Sequence, residues 1–458
     1  MKNLNIPVGI SDFEKIRREG FYYIDKTGLV KELLNPKPAE VTLITRPRRF
    51  GKTLAMSMLE NFFDIKKNSR DLFAGLEISA SEELCSQWMN QCPTVSLSFR
   101  QVDGLDFSSA YDMLTMVISN LFNRHCYLLE SQEISEFQKT AFVQIASQKA
   151  TAGEIKNSLI LLTDMMQTYY GKKVVLLVDE YDVPVAKANN NGYYEEMLDV
   201  MKGLMQALKD NRALGFAVVT GCMKIAKESI FTGTNNFVSD TIADSRLNEY
   251  FGFVQREVDQ ILADGEITDK RELIKQWYDG YHFGDWDVYC PWDVMNYVLE
   301  LQHNPQAKPA GYWKNTSDNA IIRSFIDYAG GSITRKLEIL MEGGYIIQQI
   351  DKNLTYDYLH SSEDNLWSVL YLTGYLTQVR PETLNRELPA GSAALQIPNA
   401  EIREIFETTV IRWFDDSAKT WNRNHLFAAV WKGDSEAVTK EMTALLRRTI
   451  SYHDYRED

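Results

Sequence analysis

Val41-Thr42-Leu43-Ile44-Thr45-Arg46-Pro47-Arg48-Arg49-Phe50-Gly51-Lys52-Thr53-Leu54 is the stretch that decides the fold. Its first five residues form an apolar, β-branched run, which reads as a strand buried on both faces. Its end opens a helical pattern over 52–66. A glycine, a lysine and a hydroxyl residue therefore stand where a strand hands over to a helix. At such a junction unpaired backbone N–H groups and the positive end of the helix dipole face an anion. Gly51 lets the backbone approach a phosphate closely. In that setting Lys52 is expected to reach the β- and γ-phosphates of a nucleotide, and the Thr53 hydroxyl to ligate Mg²⁺. The common pattern is GxxxxGK[ST], and here Arg46 occupies its first glycine position. Arg48 and Arg49 clamp phosphates or pair with acids such as Asp182; arginine suits either role. The expected cofactor contacts thus run through Arg48, Arg49, Phe50, Gly51, Lys52, Thr53 and Leu54.

Outward from this loop, short apolar runs at 94–99, 173–178 and 216–220 read as three further strands. Helical patterns lie between them at 106–130, 154–170 and 193–211. The last places Met197, Val200, Met201, Leu204, Met205 and Leu208 on one face, expected to be core. This alternation predicts an α/β fold: a P-loop-type parallel sheet with crossover helices. The third strand delivers Asp179-Glu180 at its C-terminal end. That is the Walker B arrangement, with Asp179 in the Mg²⁺ shell and Glu180 orienting or deprotonating a water. Asp182 just beyond is placed to orient a lysine or the catalytic water or to cap the next turn, the cap being the slightly better fit. The fourth strand ends in Thr220; in ATPases with an inserted strand the corresponding strand lies between the first and third, and the likeness makes Thr220 a candidate sensor of the γ-phosphate. Lys224 and Lys227 follow, read chiefly as solvated surface lysines.

Beyond about residue 245 the strand signal fades. A helical pattern runs from Phe251-Gly252-Phe253 to Ile274, then an aromatic, glycine-containing stretch at 277–284. Helices are expected at 291–302, 318–328, 332–342 and 365–379, a short strand at 393–397, and helices over the last sixty residues. A helix pair with a strand wing suggests a winged-helix-like module. The expected divisions are 1–245 for the nucleotide domain, 246–390 for a helical, winged-helix-like lid, and 391–458 for a C-terminal helical segment.

The 458 residues exceed one ordinary core. The formal net charge of −14 argues against a generally basic nucleic-acid-binding surface, though a local basic face remains compatible with it. Five irregularly spaced cysteines, with no CxxC, point to a reducing cytoplasm rather than a disulfide or zinc framework. No signal peptide or membrane span is read.

Several ordered motifs resemble those of the bacterial AAA-ATPase-like proteins that often carry a C-terminal PD-(D/E)XK nuclease-like domain. The matching segments are 6–10, 23–27, 45–53, 177–182, 227–233, 251–253, 277–281 and 397–399. The resemblance implies ATP and Mg²⁺ as cofactors, with Lys52, Thr53, Asp179 and Glu180 as the site, and makes Arg46 a family trait. It assigns no mechanism to Asp25 and Lys26. It also implies a nuclease-like domain, expected to be absent here. The one ExK, Glu154-Ile155-Lys156, reads as a helix-surface pair. A DNA or protein partner is compatible with these motifs; an oligomeric state and an arginine finger are not read from them.

Overall fold

The computed structural model describes residues 2–35, 37–225, 237–313, 331–355, 362–384, 387–409, 430–439 and 443. Its centre is a five-stranded parallel sheet of β1 (Val41–Thr45), β2 (Thr94–Ser98), β3 (Val174–Asp179), β4 (Leu214–Gly221) and β5 (Phe237–Asp240). The order is β2-β3-β4-β1-β5. β4 therefore lies between β1 and β3, as expected. β5 was not foreseen: its four residues, Phe-Val-Ser-Asp, carry too little apolar sequence to signal a strand.

Successive side chains of a strand point to opposite faces, and two cores follow from that alternation. Val41, Leu43, Leu176, Val178, Ala217 and Val219 join one core with helices Phe107–Asn123, Ser158–Tyr170 and Tyr194–Leu204. Ile44, Val175, Leu177, Phe216 and Val218 join the other with helix Lys52–Phe63 and the N-terminal Phe13 and Leu29. Covered on both faces, β1, β3 and β4 read as nearly continuous apolar runs. Met197, Val200, Met201 and Leu204 pack into the first core, as their spacing predicts.

Several helices are shorter than their patterns suggest. The one expected at 52–66 stops at Phe63, and the one at 106–130 ends at Asn123 before a 3-10 turn. The 154–170 pattern splits into Ala152–Lys156 and Ser158–Tyr170. The 193–211 pattern passes into a 3-10 turn at Met205. Within the first of the split pair, Glu154 bonds Thr151 in a capping box, while Lys156 pairs with Asp199. The ExK triplet is thus helical, as expected, but its two charges serve other partners.

The region after 245 departs further. The pattern ending near Ile274 breaks into Gln255–Asp264 and Arg271–Tyr278. The aromatic stretch forms a hairpin of β6 (Tyr281–Phe283) and β7 (Trp286–Val288). The expected helix 365–379 is Glu363–Leu372, and its tail becomes β9 (Thr377–Gln378). β9 and β8 (Ile346–Gln349) both pair antiparallel with β10 (Ser392–Gln396). β10, assigned from sequence to the terminal segment, thus belongs to a sheet whose other strands lie in 246–390. Helices Pro291–His303 and Gly331–Met341 match their patterns closely. The expected helix at 318–328 and most of the last sixty residues lie outside the described residues.

Motifs scattered in sequence meet here. Gly280, at φ +93°, lies so close to Pro398 that a Cβ would stand 2.0 Å from the Pro398 carbonyl oxygen. Asn399 donates from Nδ2 to the Asp279 carbonyl at 2.9 Å and accepts from the Ile402 N–H at 3.0 Å. The segments 277–281 and 397–399 are two halves of one junction. Asp25 and Lys26 form a second. Lys26 Nζ donates to both Glu257 carboxylate oxygens at 2.7 and 2.6 Å and to the Glu249 carbonyl at 2.6 Å. Asp25 accepts from the Thr27 and Glu77 N–H groups at 2.8 and 2.6 Å. These residues tie the N-terminal segment to the sheet domain and to helix Gln255–Asp264. Among the described residues, no helix is long and apolar enough to cross a membrane.

Candidate functional site

In a parallel sheet all strands deliver their C-terminal ends to one edge, and the loops there gather residues distant in sequence. β1 delivers the 46–53 loop, β3 delivers Asp179-Glu180, and β4 delivers Thr220. Gly51 takes a left-handed conformation, φ +87°, and opens helix Lys52–Phe63. The Thr53 hydroxyl donates to Asp179 Oδ2 at 2.9 Å, and the Thr220 hydroxyl donates to Asp179 Oδ1 at 2.5 Å. Both oxygens of a buried carboxylate are thereby oriented from neighbouring strand ends.

Lys52 is buried, and its ammonium donates to the Arg46 and Pro47 carbonyls at 2.8 Å each, closing the loop over its own charge. Glu180 is in the left-handed region, φ 52°, a strained setting for a non-glycine residue. Its carboxyl is pushed up from the ordinary range by burial and by the neighbouring Asp179 charge, against the pull of Lys52 and Arg100. Arg100, just past β2, is a charge that the sequence reading did not single out; only its position after a strand end could have marked it. A cleft of about 570 Å³ opens beside Thr53 and Asp179, between helix Lys52–Phe63 and β2, with Ser57, Glu60, Ser96 and Ser98 in its wall.

Arg46 explains the missing glycine. It is fully buried and forms an ion pair with Asp240 at the end of β5. It also donates to the Thr45 and Asp240 carbonyls at 2.9 and 3.0 Å and lies over the Phe251 ring, 5.3 Å from its centroid. A side chain does here what a tight glycine turn does elsewhere: it fixes where the loop leaves the sheet.

Other loop residues face the C-terminal module. Phe50 is 1% exposed and packs against Tyr281 and Phe283, with ring centroids 5.0 and 5.1 Å away. Its side chain is therefore part of the core of the C-terminal module. Arg49 lays its guanidinium 4.0 Å from the Trp292 ring centroid, and burial lowers its pKa from the ordinary arginine range. Arg48 is exposed. Leu54 is half-buried against the helix 52–63 core. Pro47 abuts Gly374, where an added Cβ would lie 3.0 Å away.

Asp182 does not cap its own helix through its side chain. Buried and with its carboxyl raised by that burial, it accepts the Cys222 and Met223 N–H groups at 2.9 and 3.0 Å. It thus fastens the chain just after Thr220. In place of the expected cap, the carboxylate takes donors from the neighbouring strand's exit. Lys224 reaches Asn353 Oδ1 at 2.5 Å, linking this exit to the C-terminal module rather than to bulk solvent alone. Lys227 lies outside the described residues.

The donor set suits Mg²⁺. A hydroxyl and a carboxylate are hard oxygen ligands, and Mg²⁺ commonly takes one or two protein oxygens with substrate phosphates and water completing its shell. Among the described residues no cluster of three or more His, Cys, Asp or Glu side chains offers an all-protein metal cage.

This is the architecture of an α/β P-loop-like protein: a central parallel sheet, flanking helices and a glycine-lysine-threonine turn beside an acidic strand end. The family model described as "Predicted AAA-ATPase" matches residues 7–231, and this part of the chain belongs to that AAA-ATPase-like family. The chain is also similar to an uncharacterized protein in the vnfD 5'region of Azotobacter chroococcum mcd 1. The two are 25% identical over 429 residues, covering 91% of this chain and 72% of the relative. No solved structure matches the chain significantly.

Proposed function

We propose that the N-terminal half binds ATP with Mg²⁺ and hydrolyses it. The observation that carries this reading is the convergence of Thr53 and Thr220 on the Asp179 carboxylate, at the mouth of the Gly51-Lys52 turn. Lys52 would exchange its loop carbonyls for the β- and γ-phosphates and neutralise their charge. Thr53 and Asp179 would hold Mg²⁺, which supplies charge compensation across the phosphate oxygens when bound. Glu180 would orient the attacking water and accept its proton; its raised pKa brings it nearer the proton affinity that this task needs. Thr220 would keep Asp179 in its rotamer and respond to the γ-phosphate through it. The five free thiols are compatible with the cytoplasmic location read from the sequence.

Steady-state turnover of ATP by the full chain, with and without DNA, tests the proposal. Wild type should hydrolyse ATP only with Mg²⁺, and Lys52→Ala should lose nucleotide binding or turnover. Equal ATP affinity and turnover in that variant would refute the assignment.

A second reading is a nucleotide-gated switch with little turnover. It is favoured by the burial of Phe50, whose neighbours in the loop would bind phosphate while its ring belongs to the other module. On this reading the 246–390 region is a lid, whose helices Gly331–Met341 and Glu363–Leu372 and three-stranded sheet support the winged-helix-like description. Glu180→Gln separates the two. If wild type holds ATP intact as long as the variant does, the switch reading prevails.

A further inference from the structure

Behind the loop lies a cluster of ionisable groups that hydrolysis leaves unused. Asp293 sits in the first turn of helix Pro291–His303, and Glu401 in the helical residues 400–409. Both are buried, 1% and 0% exposed. Glu401 Oε1 accepts the Trp313 N–H at 2.7 Å. As two carboxylates, Asp293 and Glu401 leave three oxygens, both of Asp293 and Oε2 of Glu401, without a nitrogen or oxygen donor among the described residues, and only the weak Cys290 thiol beside Asp293. The two carboxyls face each other at hydrogen-bonding range. One proton between them turns one group into a donor and removes the like-charge contact. Burial raises both carboxyls, and the Asp293 charge raises Glu401 further, so Glu401 holds the proton and Asp293 the charge.

The groups around this pair are the Cys290 thiol, the Tyr278, Tyr281 and Tyr312 phenols, and Arg49. Burial keeps the thiol and the phenols in their neutral forms. Arg49 is the cation acting on Asp293. It reaches the pair across Trp292, the residue before Asp293, and its carbonyl lies 3.8 Å from Cys290 Sγ.

Resting on the ATP-binding reading above, we propose that Arg49 couples nucleotide to the C-terminal module. Without nucleotide it lies on Trp292 and balances the Asp293–Glu401 pair; with ATP it turns to the phosphates, and the pair takes up a second proton. Several phosphate charges in direct contact outweigh one carboxylate beyond an indole ring. Phe50 is anchored, so the Arg49 backbone stays in place and a change of side-chain rotamer suffices.

The sign follows directly. Losing a nearby cation makes Asp293 more basic, so ATP binding consumes protons near neutrality and weakens as pH rises. Binding of a non-hydrolysable ATP analogue with Mg²⁺ to the full chain would be followed by calorimetry in buffers of different ionisation enthalpy. Wild type, Asp293→Asn and Arg49→Gln are compared, so that the analogue's own ionisation cancels. Wild type should take up about half a proton more than either variant near pH 7, and lose about three- to tenfold more affinity between about pH 6 and pH 8. Arg49→Gln keeps the buried pair intact and serves even if Asp293→Asn misfolds. Equal proton uptake in wild type and Arg49→Gln overturns the coupling and leaves ATP binding standing. Absence of analogue binding by wild type overturns both.

Discussion

The Thr53 hydroxyl reaches Asp179 Oδ2 at 2.9 Å across 126 residues of sequence. The Gly51-Lys52-Thr53 turn and an acidic strand end thereby share one oxygen-lined point. If that point holds Mg²⁺, both sides should show it in metal titrations. Thr53→Val keeps the shape and removes the oxygen; Asp179→Asn removes the charge. Each should lower apparent Mg²⁺ affinity by about 10- to 100-fold, read from Mg²⁺ dependence of ATP turnover. Unaltered Mg²⁺ dependence in both variants would place the metal elsewhere.

Glu180 should be separable from binding. Glu180→Gln should cut turnover by about 100-fold or more while nucleotide affinity stays near wild type. Burial raises the Glu180 pKa, so the working carboxylate is lost at a higher pH than for an ordinary glutamate. Wild-type turnover should therefore rise with pH through the mildly acidic range. The residual activity of Glu180→Gln should lack that limb, as a pair of pH–rate profiles would reveal.

Arg46 should matter to stability more than its place in a loop suggests. Arg46→Met leaves Asp240 buried without its cation, a loss of about 3–5 kcal/mol for a broken buried pair. Urea unfolding of the sheet domain should show it. Asp240→Asn together with Arg46→Met should recover part of the loss, because the stranded charge is gone.

Phe50 should hold the loop to the second module. Phe50→Ala should cost about 3–5 kcal/mol and expose the 277–290 hairpin region to protease before the sheet domain is cut. Gly374→Ala should act in the same direction, since Gly374 has φ +84° and faces Pro47. Unchanged proteolysis in both would show that the two modules do not depend on this contact.

The separate pieces of the site were legible because each carries a local signature. Apolar runs end in Gly51-Lys52-Thr53, Asp179-Glu180 and Thr220, and the crossover pattern brings those ends to one edge. Phe50 and Arg49 were assigned to nucleotide because they neighbour Gly51 in sequence. Nothing local signals that Tyr281, Phe283 and Trp292, more than two hundred residues onward, form the surface against which these side chains pack. Asp182 was read as a cap for the same reason: turn chemistry is local, whereas the Cys222 and Met223 donors arrive from another strand.

The sequence by itself determined the alternating strands and helices of a parallel sheet and the residues delivered to its edge, because alternation and apolar runs act over a few residues; the place of β4 between β1 and β3 followed instead from likeness to ATPases with an inserted strand. Tertiary structure alone decided that Arg46 replaces a glycine turn by pairing with Asp240. It alone also decided that Lys26 clasps Glu257, and that Asp293 and Glu401 confront each other with no cation in contact among the described residues. A buried charge takes its meaning from the groups that exclude water around it, and those groups are chosen by packing between distant segments.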